Sequence, residues 1–313
     1  MSSVTTTPAT SRATTPAPFA PQSPFDDLAA DVILRSSDNH DFRVYRTILS
    51  LVSPVFKDMF TLPQPDVQSE LPVIPVQETG VVLDRMLRFC YPGSNVTIET
   101  LDQLREVLEV LISKYDARRF VSLGKIYLRG YIEAHPVSVF AIACYHGWED
   151  VARAAAKESL KLPLRTPTYG RPVELKCITA DSYHSLLQYH YLCGTAAQGV
   201  TQHLSWIPAS CFSFHWFICG SCGDQEGYRL SDGDYHSVSP YFADYLRGVG
   251  EVLARTPGET INDPGLLSET VGNLAACRNC RNIAYGQLCQ LLSEHLIPKI
   301  HQEIEKVVLN LAL

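Results

Sequence analysis

The sequence predicts an α/β (α+β) first domain, a small sheet flanked by helices, followed by a mainly α-helical second domain. Three observations predict it. Two short segments near the start read as paired strands, a proline-laced third can run only as an edge strand, and beyond Pro136 the apolar residues recur almost wholly at helical spacing. With 313 residues, 46% of them hydrophobic, the chain can build two cores rather than one. We expect a disordered Ser/Thr/Pro/Ala-rich tail over 1–24, the first domain over 25–133 and the helical domain over 134–313.

Ala30 to Arg35 carries β-branched residues and is closed by the turn cluster Ser36-Ser37-Asp38-Asn39. Asp41 to Arg46 alternates polar and apolar, so the two segments form a hairpin. Ile48, Leu49 and Val52 give a short helix, and Ser53-Pro54 restarts a second one, Val55 to Phe60, with a side-chain cap followed by a first-turn proline. Leu62-Pro63-Gln64-Pro65 is an extended loop. Leu71 to Val76 follows as the edge strand, because prolines cannot donate to a ladder. Val82, Leu83, Met86, Leu87 and Cys90 share a helical face closed by Pro92-Gly93. Thr100 with Gln103 forms a capping box for the next helix, and a last one runs from Phe120 to Glu133. In the second half we expect helices over Val137–His146, Trp148–Leu160, Ala180–Thr195, Tyr235–Ala254 and Cys280–Leu311, the last interrupted at Pro298, with an internal loop between Leu162 and Val173.

The formal charge of −7 is spread without long runs of one sign, which argues against nucleic acid or anionic lipid as partners. No apolar stretch approaches the roughly 18 residues of a membrane span. The first residues lack the apolar core of a secretory signal, so a cytoplasmic or nuclear setting is expected, where the ten cysteines stay reduced or ligate metal.

The run Ala30-Asp31-Val32-Ile33-Leu34, the segment Phe42 to Phe60 with Leu49, Ser53 and Phe56 in a Leu-x-x-x-Ser-x-x-Phe turn, and the helix ending Leu87-Arg88-Phe89-Cys90-Tyr91-Pro92-Gly93 together resemble the BTB/POZ domain. The similarity covers about residues 25 to 130 and is greatest to fungal proteins with one such domain and a helical, cysteine-containing tail. The resemblance implies a module for self-association and recruitment of protein partners, with no chemistry of its own. It also implies that Asp31 lies at the self-association pocket near a basic group, for which Arg46 is the candidate. The alternative is that Asp31 caps a strand edge and Arg46 is a solvated cation. Tyr45-Arg46 stands where the family usually has His-Lys, and Met59-Phe60 is followed by Thr61-Leu62-Pro63 rather than the hydrophobic-x-Glu element of members that dock a cullin-type scaffold. Work as a substrate adaptor of a cullin-type ubiquitin ligase is one reading that the resemblance leaves open.

Cys219-Gly220-Ser221-Cys222 and Cys277-Arg278-Asn279-Cys280 are CxxC pairs, the spacing at which two thiolates chelate one tetrahedral metal. The gap between the pairs exceeds the roughly 15 to 20 residues of compact zinc modules. A closed four-cysteine site would hold one structural zinc, with His215 as a substitute ligand; the alternatives are small buried hydrophobes or a redox pair at Cys219. Cys90, Cys144, Cys177, Cys193, Cys211 and Cys289 read as core. A zinc- or thiol-dependent enzyme centred on the CxxC pairs is the rival class. No GxSxG, HExxH, GxxxxGK[ST] or GxGxxG motif supports other catalysis, and Glu149-Asp150 is explained by a helix dipole. Tyr183, His184, Tyr189, His190 and Tyr191 read as packing at helical spacing rather than a ligand box.

Overall fold

A computed structural model of the chain describes residues 20–62, 71–166, 169–222, 226–258, 261 and 264–311. The expected tail up to residue 19, and the expected loop from Pro63 onward, lie outside the described residues. The chain separates into two compact units, divided between Gly124 and Lys125.

In the first unit, β1 (Val32–Arg35) pairs antiparallel with β2 (Asp41–Val44) and parallel with β3 (Val73–Pro75), giving the order β2-β1-β3. Val32 and Leu34 from β1, with Phe42 and Val44 from β2, point to one side and are fully buried, the period-2 alternation the sequence carries. β3 takes the edge, where Pro75 costs no ladder bond. Helices α1 (Arg46–Val52) and α2 (Pro54–Thr61) are separated by Ser53, whose hydroxyl accepts the Phe56 N–H at 3.1 Å as a helix cap and donates to the Tyr115 carbonyl at 2.5 Å. Helix α3 (Gly80–Cys90) ends before Gly93, which has φ +77. Thr100 caps α4 (Leu101–Leu108) by accepting the Gln103 N–H, and Gln103 reaches back to the N–H of Glu99. The chain then widens into a π-type turn over Glu109–Lys114 and re-enters helix at α5 (Val121–Arg129), within which the division between the units falls. Tyr115 is the keystone of this unit: its ring stacks on Phe56 at 4.2 Å and its hydroxyl donates to the buried carboxylate of Glu78 at 3.0 Å, which also receives the Lys114 ammonium.

The second unit opens with α6 (Pro136–Tyr145), buried from Pro136 to Cys144 on every face as a central helix must be, and α7 (Glu149–Ser159), whose alanines pack on it. The long α8 (Ala180–Gln202) follows, capped by Thr179 and running past the expected end at Thr195. A short α9 (His215–Ile218) leads to a hairpin of β4 (Glu226–Arg229) and β5 (Tyr235–Val238), then α10 (Pro240–Arg255), α11 (Pro264–Ala276), α12 (Ala284–Leu291) and α13 (Ile297–Glu305). Helices α8 and α10 lie in close contact through small residues: a Cβ added at Gly194 would stand 2.8 Å from the Ala254 carbonyl oxygen, and one at Gly250 2.4 Å from Thr201 Oγ1.

One helix boundary is corrected by the structure. The helix expected from Tyr235 begins only at Pro240, because the Ser231-Asp232-Gly233-Asp234 turn, with Gly233 at φ +84, folds Tyr235–Val238 back onto β4 as a strand. The interruption expected at Pro298 takes the form of a π-type turn over Leu292–Leu296 that divides α12 from α13, with Pro298 in the first turn of α13, where its missing N–H is tolerated.

Candidate metal centre and interaction surface

The four CxxC cysteines converge. Cys219 follows α9 and donates its N–H to the His215 carbonyl at 3.0 Å, and Cys222 closes the first loop just ahead of the β4–β5 hairpin. Cys277 follows α11, and the N–H groups of Cys280 and Arg281 turn back to its carbonyl at 3.2 and 3.0 Å, forming a tight loop ahead of α12. The Sγ atoms of Cys222 and Cys280 are 3.3 Å apart, those of Cys219 and Cys222 3.5 Å, and those of Cys219 and Cys277 3.8 Å. All four lie within 4.8 Å of one another, and all four residues are buried. Between the loops, Asn279 Nδ2 donates to Ser221 Oγ at 3.2 Å.

These distances bear directly on a metal. A tetrahedral ion with sulfur ligands at about 2.3 Å needs sulfurs about 3.8 Å apart, and the four cysteines stand near that spacing. Four soft donors with no carboxylate among them suit zinc or iron, not magnesium or calcium. Burial pushes the Cys222 thiol well up, with hydrogen bonds to Cys280 and Cys219 adding to the rise, and burial likewise lifts Cys280 to about 12. Burial also acts on Cys277, but there the N–H groups of Cys280 and Asn279, and the neighbouring thiols, outweigh it and hold the group near 7. His215 does not join: the set within 4.8 Å is the four cysteines alone among the described residues, while the backbone N–H of His215 donates to Gln287 Oε1. The same core that surrounds the cysteines includes Phe217, Leu230, Phe242 and Leu274, so an ion there would tie the hairpin to α11 and α12.

The other cysteines divide. Cys90, Cys144, Cys193 and Cys211 are buried as expected, whereas Cys177 and Cys289 are exposed rather than core. His190 is buried, its Nε2 2.8 Å from the Leu162 carbonyl, while Tyr191 is half exposed, so the Tyr/His group of α8 does not converge on one point. Glu149 and Asp150 occupy the first turn of α7, Glu149 paired with Arg153 and Asp150 with Lys125 and Arg129.

In the first unit Asp31 and Arg46 are neighbours, but through the backbone: Asp31 Oδ1 accepts the Arg46 N–H at 2.8 Å. The Arg46 guanidinium lies over the Phe60 ring at 5.9 Å. Tyr45, beside it, donates its hydroxyl to Asp27 and its N–H to the Tyr91 hydroxyl. Sequence reading missed the Glu78, Lys114 and Tyr115 group, for which no local signal existed. Leu28, Leu51 and Leu62 stand out on the surface of this unit, at 81%, 67% and 61% exposed.

A small mixed sheet with paired helices after its hairpin makes this unit an α+β module. Residues 23–130 match the BTB/POZ domain family, and the chain carries a BTB/POZ domain followed by a mostly helical, cysteine-containing region. BTB/POZ domains mediate protein–protein interaction. A search of curated proteins found no match to the chain. No helix among the described residues is long and apolar enough to cross a membrane.

Proposed function

We propose that the protein is a non-catalytic adaptor. Its BTB/POZ domain binds a protein partner or a second copy of the chain, and its helical unit, 134–313 by the sequence reading, supplies a stabilising or partner-selecting surface held by one structural zinc on Cys219, Cys222, Cys277 and Cys280. The observation that carries the interaction reading is the family match over 23–130 combined with the exposed Leu28, Leu51 and Leu62 of that unit. Asp31 and Arg46, joined at the start of α1, are our candidates for the partner-binding pocket. The cytoplasm or nucleus is the setting that suits reduced, metal-binding thiols.

Convergence of the CxxC pairs supports a structural metal over an enzyme, since four protein sulfurs fill a tetrahedral ion and leave no position for substrate. The adaptor reading is tested by affinity capture from the native cell with the full chain and with residues 25–130 deleted, the zinc content of the deleted chain serving as the check that its helical unit has folded. Loss of the partners supports the reading; recovery of the same partners by the deleted chain refutes it.

A further inference from the structure

A cavity of about 690 Å³ opens in the second unit, in the connection between α7 and α8. Its lining includes two cations, Arg171 and Lys176, and four hydroxyl side chains, Thr166, Tyr169, Thr179 and Tyr183, but no carboxylate. Two of those hydroxyls are already engaged: Thr166 Oγ1 donates to the Pro163 carbonyl at 2.8 Å, and Thr179 Oγ1 accepts the Ser182 N–H at 3.1 Å. The two phenols and the two cations have no hydrogen-bond or ion-pair partner among the described residues, so their donors are available to a ligand. Glu174, the acidic residue of this connection, is buried, receives the Ser138 hydroxyl at 2.8 Å and does not line the cavity.

In a chain of net charge −7, a recess whose only formal charges are positive selects anions. Burial, and the nearby Tyr183 phenol, push the Tyr169 hydroxyl above its ordinary range, so it remains a proton donor at neutral pH. A guanidinium, an ammonium and two O–H donors together match a tetrahedral oxyanion, which offers several strong acceptors and up to two negative charges. The volume falls within the roughly 300–1,000 Å³ of ordinary ligand pockets and exceeds what a bare anion fills, so the group bound would carry a substituent.

We propose that this cavity binds a phosphomonoester, with Arg171 and Lys176 meeting the charge and Tyr169 and Tyr183 donating to the phosphate oxygens. The proposal depends neither on the zinc nor on the interaction role of the first domain. The phosphomonoester can come from a phosphorylated side chain of another protein or from a small molecule, and one experiment separates them.

Full-length protein is titrated calorimetrically, at matched ionic strength, with phenyl phosphate, with a phosphoserine peptide and with the same peptide unphosphorylated. We expect saturable binding of phenyl phosphate or the phosphopeptide with Kd of about 1 mM or tighter, and none of the bare peptide. Tighter binding of the phosphopeptide assigns the site to a protein ligand, and equal or tighter binding of phenyl phosphate assigns it to a small molecule. Arg171→Gln with Lys176→Gln, both at exposed positions, weakens binding at least about tenfold. Tyr169→Phe with Tyr183→Phe removes the donors while keeping the charges, weakens binding severalfold, and decides the matter should the first variant fail to fold. No saturable binding of either phosphomonoester below about 10 mM, or unchanged affinity in the folded variants, overturns the proposal.

Discussion

Cys222 Sγ stands 3.3 Å from Cys280 Sγ although 58 positions separate the two residues in the chain. Each loop supplies a pair of sulfurs, and Asn279 to Ser221 ties the loops beside them. Four buried thiols are weakly stabilising as hydrophobes, whereas four thiolates on zinc contribute about 10–16 kcal/mol of apparent binding free energy in small zinc modules at neutral pH. That contrast makes single-cysteine variants informative.

Cys222→Ser or Cys280→Ser should lower the thermal midpoint of the helical unit by well over 10 °C and abolish its metal content, because loss of one sulfur opens the site. Cys90→Ser, at a buried cysteine outside the cluster, should leave the metal in place and cost only about 1–3 kcal/mol. Circular dichroism melting with metal analysis of each variant checks the pair.

Ser53→Ala should destabilise the BTB/POZ domain by about 1–2 kcal/mol, since one hydroxyl both caps α2 and satisfies the Tyr115 carbonyl. Urea unfolding of the two proteins measures it.

Tyr115→Phe keeps the stacking on Phe56 but deprives the buried Glu78 carboxylate of a donor. A loss of about 1–3 kcal/mol is expected in the same assay.

Gly194→Ala should cost about 1–3 kcal/mol, because the new methyl would meet the Ala254 carbonyl and force α8 from α10. A stabilised protein, as helix propensity alone would give, would show that the two helices do not touch there.

Hydrogen bonding from Lys125, opposed by burial and assisted by Arg129, holds the Asp150 carboxyl at about 2. A carboxylate depressed in the folded state stabilises it above the ordinary carboxylate range and loses that contribution as pH falls toward 2. Half of this side chain is exposed, so screening limits the effect to below about 1 kcal/mol. Asp150→Asn should therefore flatten slightly the loss of stability between about pH 4 and pH 2, seen as a smaller shift in thermal midpoint across that range.

Features set by neighbouring residues were legible in the sequence. The Ser53 cap, the Thr100 and Gln103 box, the alternation in β2 and the proline-bearing edge strand all stand where local chemistry puts them. The β4–β5 hairpin was not, because Tyr235 and Val238 continue the apolar period of Phe242 and Leu246, although Asp232-Gly233-Asp234 was a turn signal within reach. At the candidate metal centre the ligand types and pair spacing were legible and their convergence was not: it depends on how α9, the hairpin, α11 and α12 pack, which no local spacing encodes. Asp31 meets Arg46 through a backbone N–H rather than through two side chains, a link that follows from the tight start of α1 and that side-chain chemistry alone does not announce.

The most direct test of a metal-held helical unit is the metal content of the purified full-length protein after exhaustive dialysis, measured by mass spectrometry of the elements together with its circular dichroism before and after chelation. The account predicts one zinc per chain and loss of helical structure when it is removed. Absence of metal from a folded chain whose four cysteines interconvert reversibly between thiol and disulfide would contradict it.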